Sequence, residues 1–214
     1  MIELEKLSTE ENNPNSKDIE LQDSLEVVRR INEEDKKVAF CVEKELESIS
    51  RLIDAILSKY KKETIDIFNY YIEHTTAAYR SEKVDYDFFS ALVDENVVCA
   101  YAVMNNSNDV IGFCMLEKYK NIRTFNELGD CMYFIKPEMT GKGVGREIVS
   151  LLENDAKLHG MKKLVVDISD ENEKSIAFHK KHGFVEYGRL KNCWRKFGRN
   201  IGIVYMYKDI GTAK

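Results

Sequence analysis

The first sixty residues of the chain contain no glycine, and their apolar residues recur at intervals of three and four. This spacing is typical of helices that bury one face. One apolar stripe follows Ser24, a residue that can cap a helix, and a second continues along the chain: Leu25, Val28, Ile31 and then Val42, Leu46, Ile49, Ile53, Ile56. A half-buried strand would need strict alternation, which residues 51–56 lack. We therefore predict a helical N-terminal arm with a continuous helix from Val42 to Leu57, preceded by a looped segment over residues 1–20.

The composition argues against several classes of protein and of partner. The 214 residues carry 32 basic and 37 acidic side chains, without a run of Lys or Arg that would follow a phosphate backbone, so nucleic acid is not an expected partner. All apolar runs are short and no secretory leader pattern precedes them, so we expect a cytoplasmic protein that does not span a membrane. Five cysteines at unpaired spacings indicate reduced thiols, with neither a disulfide framework nor a metal site.

From about Glu63 the pattern changes to mixed helices and strands. We predict helices over residues 65–72 and 88–93, followed by three strands at 96–104, 110–117 and 131–135 that form an antiparallel meander. The predicted order is completed by a helix over 148–156, a buried strand at 163–168, a helix through 176–181 and strands at 184–190 and 203–207. Such an order predicts an α+β fold with a mixed, mostly antiparallel sheet that contains a local parallel pair.

Three glycines, Gly141, Gly143 and Gly145, precede the helix over 148–156. Backbone N–H groups at a helix start lack intrahelical partners, and glycine lets an anion approach them closely. The loop therefore suits a diphosphate, although a purely structural turn is the alternative. It is neither a Walker A loop nor a dinucleotide fingerprint, because the Lys-Ser/Thr pair and the acidic ribose partner are missing.

Residues 133–184, with YFIKPEMTGKGVG and KLVVDISDENEKSIAFHKKHGF, resemble the acetyl-CoA-binding half of the GNAT superfamily of acetyltransferases. The resemblance extends upstream through IFNYYIEHTTAAYRSE and downstream through KFGRN, over about residues 63–210. Within the superfamily it is specifically to the phosphinothricin acetyltransferase branch. It implies a GNAT-like domain at residues 63–214, with acetyl-CoA as co-substrate in the opening of a splayed parallel strand pair.

The resemblance also implies which residues hold the cofactor. They are the backbone of Tyr133, Phe134 and Ile135, the diphosphate loop Gly141, Lys142, Gly143, Val144, Gly145 and Arg146, and the side chain of Asn172. Thr140 stands where the family has Gln or Arg, so we expect weaker cofactor binding. Gly202 and Asn200 stand where the family has an acidic residue and a Trp. The family's mode of substrate recognition is therefore not expected at these two positions.

Two residues are predicted to be catalytic. Acyl transfer to an amine needs removal of the ammonium proton, a polarised thioester carbonyl and protonation of the thiolate. Asp130 stands where the phosphinothricin branch has an acidic residue just before its central strand, so the resemblance implies that it is the base, and an exposed strand-end carboxylate is the alternative. His179 stands where relatives place the group thought to protonate the thiolate, and a solvated helix-face histidine is the alternative. A strand N–H near Phe134 or Ile135 would polarise the carbonyl, and we interpret Cys131 as a core residue.

The arm at residues 1–62 resembles the N-terminal segment of N-acetylmuramic acid 6-phosphate etherase without the catalytic part of that enzyme, so etherase activity is not implied. We expect the arm to be an oligomerisation segment for a homodimer, a dock for an etherase, an incidental fusion, or a helical hairpin packed on itself. The predicted function is N-acetylation of a small polar amine, most like phosphinothricin or methionine sulfoximine. The alternatives are an amino-sugar acetyltransferase of cell-wall recycling and a catalytically silent acyl-CoA-binding module.

Overall fold

The computed structural model describes residues 18–88 and 96–211. The chain divides into two units, residues 1–56 and 57–214. The predicted domain boundary, between residues 62 and 63, stays a prediction. The looped segment predicted at the N-terminus lies outside the described residues apart from a short 3-10 turn at Ile19–Leu21, and so does the helix predicted over 88–93 apart from Phe88. Over the two described ranges, no helix combines the length and apolarity that crossing a membrane requires.

Two long helices begin the described chain, α1 at Ser24–Lys44 and α2 at Leu46–His74. The cap of α1 is Asp23 rather than the predicted Ser24, because the Asp23 carboxylate accepts a hydrogen bond from Glu26 N at 2.9 Å. The predicted continuous helix is interrupted once, at Glu45, whose φ of −101° and ψ of 5° leave the helical range and whose N–H bonds Val42 O instead. From Leu46 onward the helix prediction is confirmed, and residues 52–56 are not a strand. The helix predicted over 65–72 is not a separate element, because α2 continues without a break to His74.

Six strands form one sheet in the order β1-β2-β3-β4-β6-β5. Their bounds are β1 Val97–Met104, β2 Val110–Lys118, β3 Leu128–Ile135, β4 Lys163–Ser169, β5 Val185–Lys196 and β6 Arg199–Asp209. The β3–β4 pair is parallel, and the other four pairs are antiparallel. The predicted α+β fold with a local parallel pair is therefore confirmed. The last two strands are longer than predicted because a tight Phe197-Gly198 turn, with φ of 51° and 76°, joins them directly.

Helices cover both faces of this sheet within residues 57–214. Helix α3, Val144–Leu158, and helix α4, Glu173–Lys181, contribute to one core that includes Ile148, Ile176 and the β3 residue Tyr133. On the other face, Phe134 of β3 packs against Phe68 of α2, with ring centroids 5.2 Å apart. Successive strand residues point to opposite faces, so odd-numbered β3 residues from Cys131 face α3 and even-numbered ones face α2.

Strands β3 and β4 separate after a short common stretch. They pair at three positions, which are Leu128 with Lys163, Gly129 with Leu164 and Asp130 with Val165. Beyond Asp130, β3 continues to Ile135 paired with β2, while β4 continues to Ser169 paired with β6. This opening, called the β3–β4 gap below, confirms the expected splay.

Candidate active site

The glycine loop lies between β3 and α3. Gly141 and Gly143 have φ of 75° and 94°, a left-handed conformation that side chains rarely adopt, while a Cβ at either would meet no atom within 4 Å. Gly143 is the N-cap of α3 and offers no side-chain cap, so the first N–H groups of the helix remain available to a ligand. An open loop of N–H donors at the positive end of a helix fits a diphosphate.

Neighbouring side chains define the rest of this loop. Gly145 allows α3 to approach α4, because a Cβ there would lie 3.2 Å from the Phe178 ring. Lys142 and Arg146 are exposed, so both cations are available to phosphate oxygens. Thr140 donates its hydroxyl to Pro137 O at 2.7 Å, so it does not replace the longer side chain that the resemblance led us to expect. Cofactor binding weaker than in the family therefore stays a prediction.

The backbone of β3 presents alternate residues to the gap. Lys136 N donates to Ile111 O of β2, and in an antiparallel pair both backbone groups of one residue point to the same side. Phe134 therefore directs its N–H and C=O to β2, whereas Tyr133 and Ile135 direct theirs to the gap. The geometry brings two of the three predicted backbone contacts to the cofactor opening and leaves out Phe134.

A cavity of about 590 Å³ lies beside the gap, between the end of α2 and the start of α4. The Tyr71 side chain lines this cavity and donates its hydroxyl to Ile135 O at 2.6 Å, which connects the cavity to β3. Asn172 lines it from the N-cap of α4. Because Asn172 Oδ1 accepts from Ser175 N, the Nδ2 amide is the part of this side chain that can contact a ligand.

Asp130 is within β3 rather than before it, on the α2 face at the last position where β3 and β4 pair. It is partly buried, which contradicts the alternative of an exposed strand-end carboxylate. Its pKa is raised from an ordinary 3.8 to about 7, first by burial and then by the charges of Asp167 and Glu117. A carboxylate that titrates near neutrality is suited to accept a proton from an ammonium group.

The side chains that surround Asp130 were not among the residues predicted from the sequence. Glu117 is its cross-strand partner on β2, and Asp167 follows Val165, the β4 partner of Asp130, by two residues, so all three carboxylates share one face. Burial and the neighbouring Asp167 carboxylate raise the pKa of the Tyr79 hydroxyl, and the Tyr79 ring meets Trp194 edge-on at 5.0 Å. The alternation of side chains along the strand KLVVDI indicates that Asp167 shares a face with Val165. The pairing register that brings this face to Asp130 and Glu117 depends on the neighbouring strands and cannot be found within one strand.

His179 of α4 is buried, with 3% of its surface exposed, so the alternative of a solvated helix-face histidine is wrong. Its Nδ1 lies 2.8 Å from Ser175 O, and its Nε2 lies 2.9 Å from the Tyr133 hydroxyl. Burial lowers its pKa from 6.5 to about 4, which keeps the ring neutral at physiological pH. The Tyr133 side chain, for which no role was predicted, therefore belongs to the same site as His179.

Two further predictions concern Cys131 and Gly202. Cys131 packs against the core, and burial raises the pKa of its thiol well above the ordinary value, as expected for a structural residue. At Gly202 a Cβ would overlap Asp170 Oδ2, while the same carboxylate accepts a hydrogen bond from Gly202 N at 2.9 Å. The carboxylate of Asp170 thus occupies the space that the acidic side chain expected at residue 202 would need.

The chain is similar in sequence to known proteins. Residues 64–184 match the model of the family described as Acetyltransferase (GNAT) family. L-amino acid N-acyltransferase MnaT of Escherichia coli strain K12 is 26% identical over 143 residues, which cover 66% of this chain and 83% of that protein. The L-methionine sulfoximine/L-methionine sulfone acetyltransferase of Salmonella typhimurium is 27% identical over 143 residues, 66% of this chain and 84% of that protein.

A solved structure and a third relative complete the comparison. The phosphinothricin acetyltransferase of Sinorhizobium meliloti, solved in complex with AcCoA, shares the fold with a TM-score of 0.67 and 20% identity, over 72% of this chain and 85% of that chain. A separate match of 55 residues is 53% identical to N-acetylmuramic acid 6-phosphate etherase of Clostridium botulinum strain Okra. It covers 26% of this chain but 18% of the etherase, which agrees with the resemblance seen in the arm.

Proposed function

We infer the function of this chain from its family, because it belongs to the GNAT acetyltransferases. It is an N-acetyltransferase, and we propose that it transfers the acetyl group of acetyl-CoA to the primary amine of a small amino acid or amino-acid analogue. The named activities of the two relatives described above support this acceptor class. The loop from Gly141 to Arg146, the gap-facing backbone of β3 and the amide of Asn172 fit the phosphate and amide groups of acetyl-CoA.

The position of Asp130 carries the proposal. This carboxylate lies where β3 and β4 part, and its pKa of about 7 lets it take up a proton without holding it too tightly. Bound acetyl-CoA supplies a thioester, whose carbonyl carbon bonds the amine nitrogen while the C–S bond breaks and its electron pair stays on sulfur. Asp130 removes one proton from the ammonium group before attack and releases it to solvent. A second proton leaves the nitrogen as the amide forms and goes to sulfur.

The backbone direction of β3 and the hydrogen bonds of His179 indicate which groups polarise the carbonyl and protonate the sulfur. The N–H of Ile135, rather than that of Phe134, faces the gap and is the donor that we assign to the thioester carbonyl. Since the amine nitrogen provides the proton for sulfur, a separate acid is not required. Direct proton donation by His179 stays a prediction, and the observed hydrogen bonds do not favour it because Ser175 O occupies the Nδ1 side of the ring.

The proposed function is tested by thiol release from acetyl-CoA with a panel of amino acids, methionine sulfoximine, phosphinothricin, amino sugars and polyamines. We expect release with the amino acids or their analogues, together with N-acetylated product by mass spectrometry. Release with amino sugars alone would replace the proposed acceptor class by the cell-wall alternative. Acetyl-CoA binding by calorimetry without release on the whole panel would indicate a silent binding module.

We also propose that the arm joins two copies of the chain. Apolar side chains along the arm are 39–62% exposed, and a second copy carries the same surface: Leu25, Val28, Ile31, Val38, Phe40, Val42, Leu46, Ile49, Leu52, Ile53, Ile56. A stripe of this length needs an apolar partner. Light scattering should give a dimer that Ile53→Lys converts to a monomer, while the control Glu47→Lys remains dimeric. A monomeric wild type would refute the dimer.

The five free thiols, of which Cys41 and Cys193 are exposed, support a reducing compartment. On this basis we propose a cytoplasmic location.

A further inference from the structure

The tautomer of His179 follows from the shorter of the two contacts at Nδ1, which lies 2.8 Å from Ser175 O and 3.3 Å from Ser175 Oγ. A backbone carbonyl has no proton to give, so the 2.8 Å contact assigns the proton to Nδ1. Because the neutral ring has a single N–H, Nε2 is then an acceptor. The Tyr133 hydroxyl at 2.9 Å must therefore donate to His179, and the hydrogen bonds run in one direction from Tyr133 to His179 to Ser175.

This direction determines what the Tyr133 hydroxyl can do for a ligand. Its proton is engaged with Nε2, while the lone pairs of its oxygen remain to accept a hydrogen bond. The hydroxyl joins β3 to α4, the helix that follows β4, and β3 has already left β4 at this point. Tyr133 is partly buried and packs against the core, and burial raises the pKa of its hydroxyl, so the proton stays on the oxygen. An acceptor oxygen thus lies beside the gap, on the α3 and α4 face where the glycine loop also begins its helix.

We propose that Tyr133 is a binding residue for acetyl-CoA and that His179 is its positioning residue: the Tyr133 oxygen accepts a hydrogen bond from an amide N–H of the cofactor arm in the β3–β4 gap. This inference rests on the proposed function, since it assumes that acetyl-CoA occupies the gap. It assigns to Tyr133 and His179 a role in binding rather than in proton transfer to sulfur. The chemistry is matched, because the pantetheine arm carries amide N–H donors and β3 directs alternate backbone groups to the same opening.

The fixed hydroxyl also explains why a tyrosine is suited to this position. A free hydroxyl rotates and would lose that freedom on binding a ligand, whereas the bond to His179 has already oriented it. The ring of His179 is itself held between Ser175 and the aromatic rings of Phe178 and Phe184, at centroid distances of 5.3 and 5.0 Å. Removing His179 should therefore weaken cofactor binding without touching the cofactor.

The test compares three variants and one control variant by acetyl-CoA calorimetry and steady-state kinetics. Tyr133→Phe removes only the hydroxyl, and we expect the acetyl-CoA dissociation constant and KM to rise about five-fold, the value of one net hydrogen bond, with kcat changed by less than about two-fold. His179→Leu should give a similar rise. His179→Gln, which retains an acceptor near Nε2, should recover most of the affinity. Tyr86→Phe, which loses a tyrosine bond to Asp66 elsewhere, is the matched control and should bind as wild type.

The outcomes separate this inference from the proposed function. If wild type binds no acetyl-CoA, the proposed function fails as well. If wild type binds and Tyr133→Phe binds equally, only the role of Tyr133 is refuted. A fall in kcat at constant KM would also overturn it and make Tyr133 a proton donor. Should the variants not fold, nitrogen NMR of wild-type histidines decides: we expect a neutral Nδ1–H tautomer for His179 at pH 7, and an Nε2–H tautomer would refute the inference.

Discussion

Asp130 on β3 and Asp167 on β4 lie on the same face of the sheet, at and just beyond the last position where these two strands pair. The charges of Asp167 and of Glu117, the partner of Asp130 on β2, add to burial in raising the pKa of Asp130. The sheet therefore places one partly buried carboxyl group, Asp130, at the boundary between its protonated and ionised forms near neutral pH.

Asp130→Asn should reduce turnover by about 100-fold or more, because the amide cannot accept the ammonium proton. Acetyl-CoA affinity should remain near that of wild type, since Asp130 lies on the face of β3 opposite to Tyr133. Thiol-release kinetics and calorimetry measure the two quantities. Wild-type turnover of the variant across the pH range would remove Asp130 from the mechanism.

The same substitution should stabilise the protein at alkaline pH. A carboxyl group whose pKa rises from 3.8 to about 7 on folding costs stability as the pH increases through this range, because the folded state must give up a proton that the unfolded state has already lost. At pH 8 Asp130→Asn should therefore be more stable than wild type, by at most about 4 kcal/mol, with little difference at pH 3.5. Urea unfolding at both pH values checks this, and an equal difference at both would contradict it.

Asp167→Asn should move the acid limb of the pH–rate profile to lower pH. Removing a neighbouring negative charge lowers the pKa of Asp130, so the base remains ionised in more acidic solution, by about half to one pH unit. Asp109→Asn, in the β1–β2 turn, is the control and should leave the limb in place. An unchanged limb in Asp167→Asn would show that these two carboxylates do not interact in solution.

Gly143→Asp should abolish detectable acetyl-CoA binding. Aspartate at this N-cap puts a negative charge where the diphosphate is proposed to bind and forces a side chain into the left-handed conformation. Gly160→Asp is a matched control, since Gly160 has φ of 76° and also meets no atom within 4 Å. We expect the control to lose stability by a similar amount but to retain affinity. Unchanged calorimetric affinity of Gly143→Asp would remove the loop from the cofactor site.

Gly202→Asp, which introduces the acidic residue expected from the family, should destabilise the protein by about 1–3 kcal/mol rather than improve it. The new side chain would overlap the Asp170 carboxylate and lie 2.5 Å from Leu190 O. In the double variant Gly202→Asp with Asp170→Gly, the loss should be smaller because one of the two clashing groups is gone. Denaturant unfolding of wild type and both variants measures the difference, and equal losses would refute the overlap with Asp170.

The sequence by itself determined the elements of this protein. Spacing of three and four predicted α1 and α2, short apolar runs predicted all six strands, and Gly141 to Gly145 predicted an anion loop, because these signals are local properties of the backbone. The apolar pattern did not predict every boundary of these elements. The helix is interrupted at Glu45 although its apolar pattern continues, and the Phe197-Gly198 turn lets two strands continue beyond their apolar runs.

Only the tertiary structure decided how those elements combine into a site. Strand register brought Glu117, Asp130 and Asp167 to one face and raised the pKa of Asp130, although more than ten residues separate each from the next along the chain. Packing of α4 on β3 brought Tyr133 to His179 across 46 residues, and the Asp170 carboxylate filled the space beside Gly202. These relationships depend on which strand edges pair and where they part, and a periodic pattern within one strand carries no information about its neighbour.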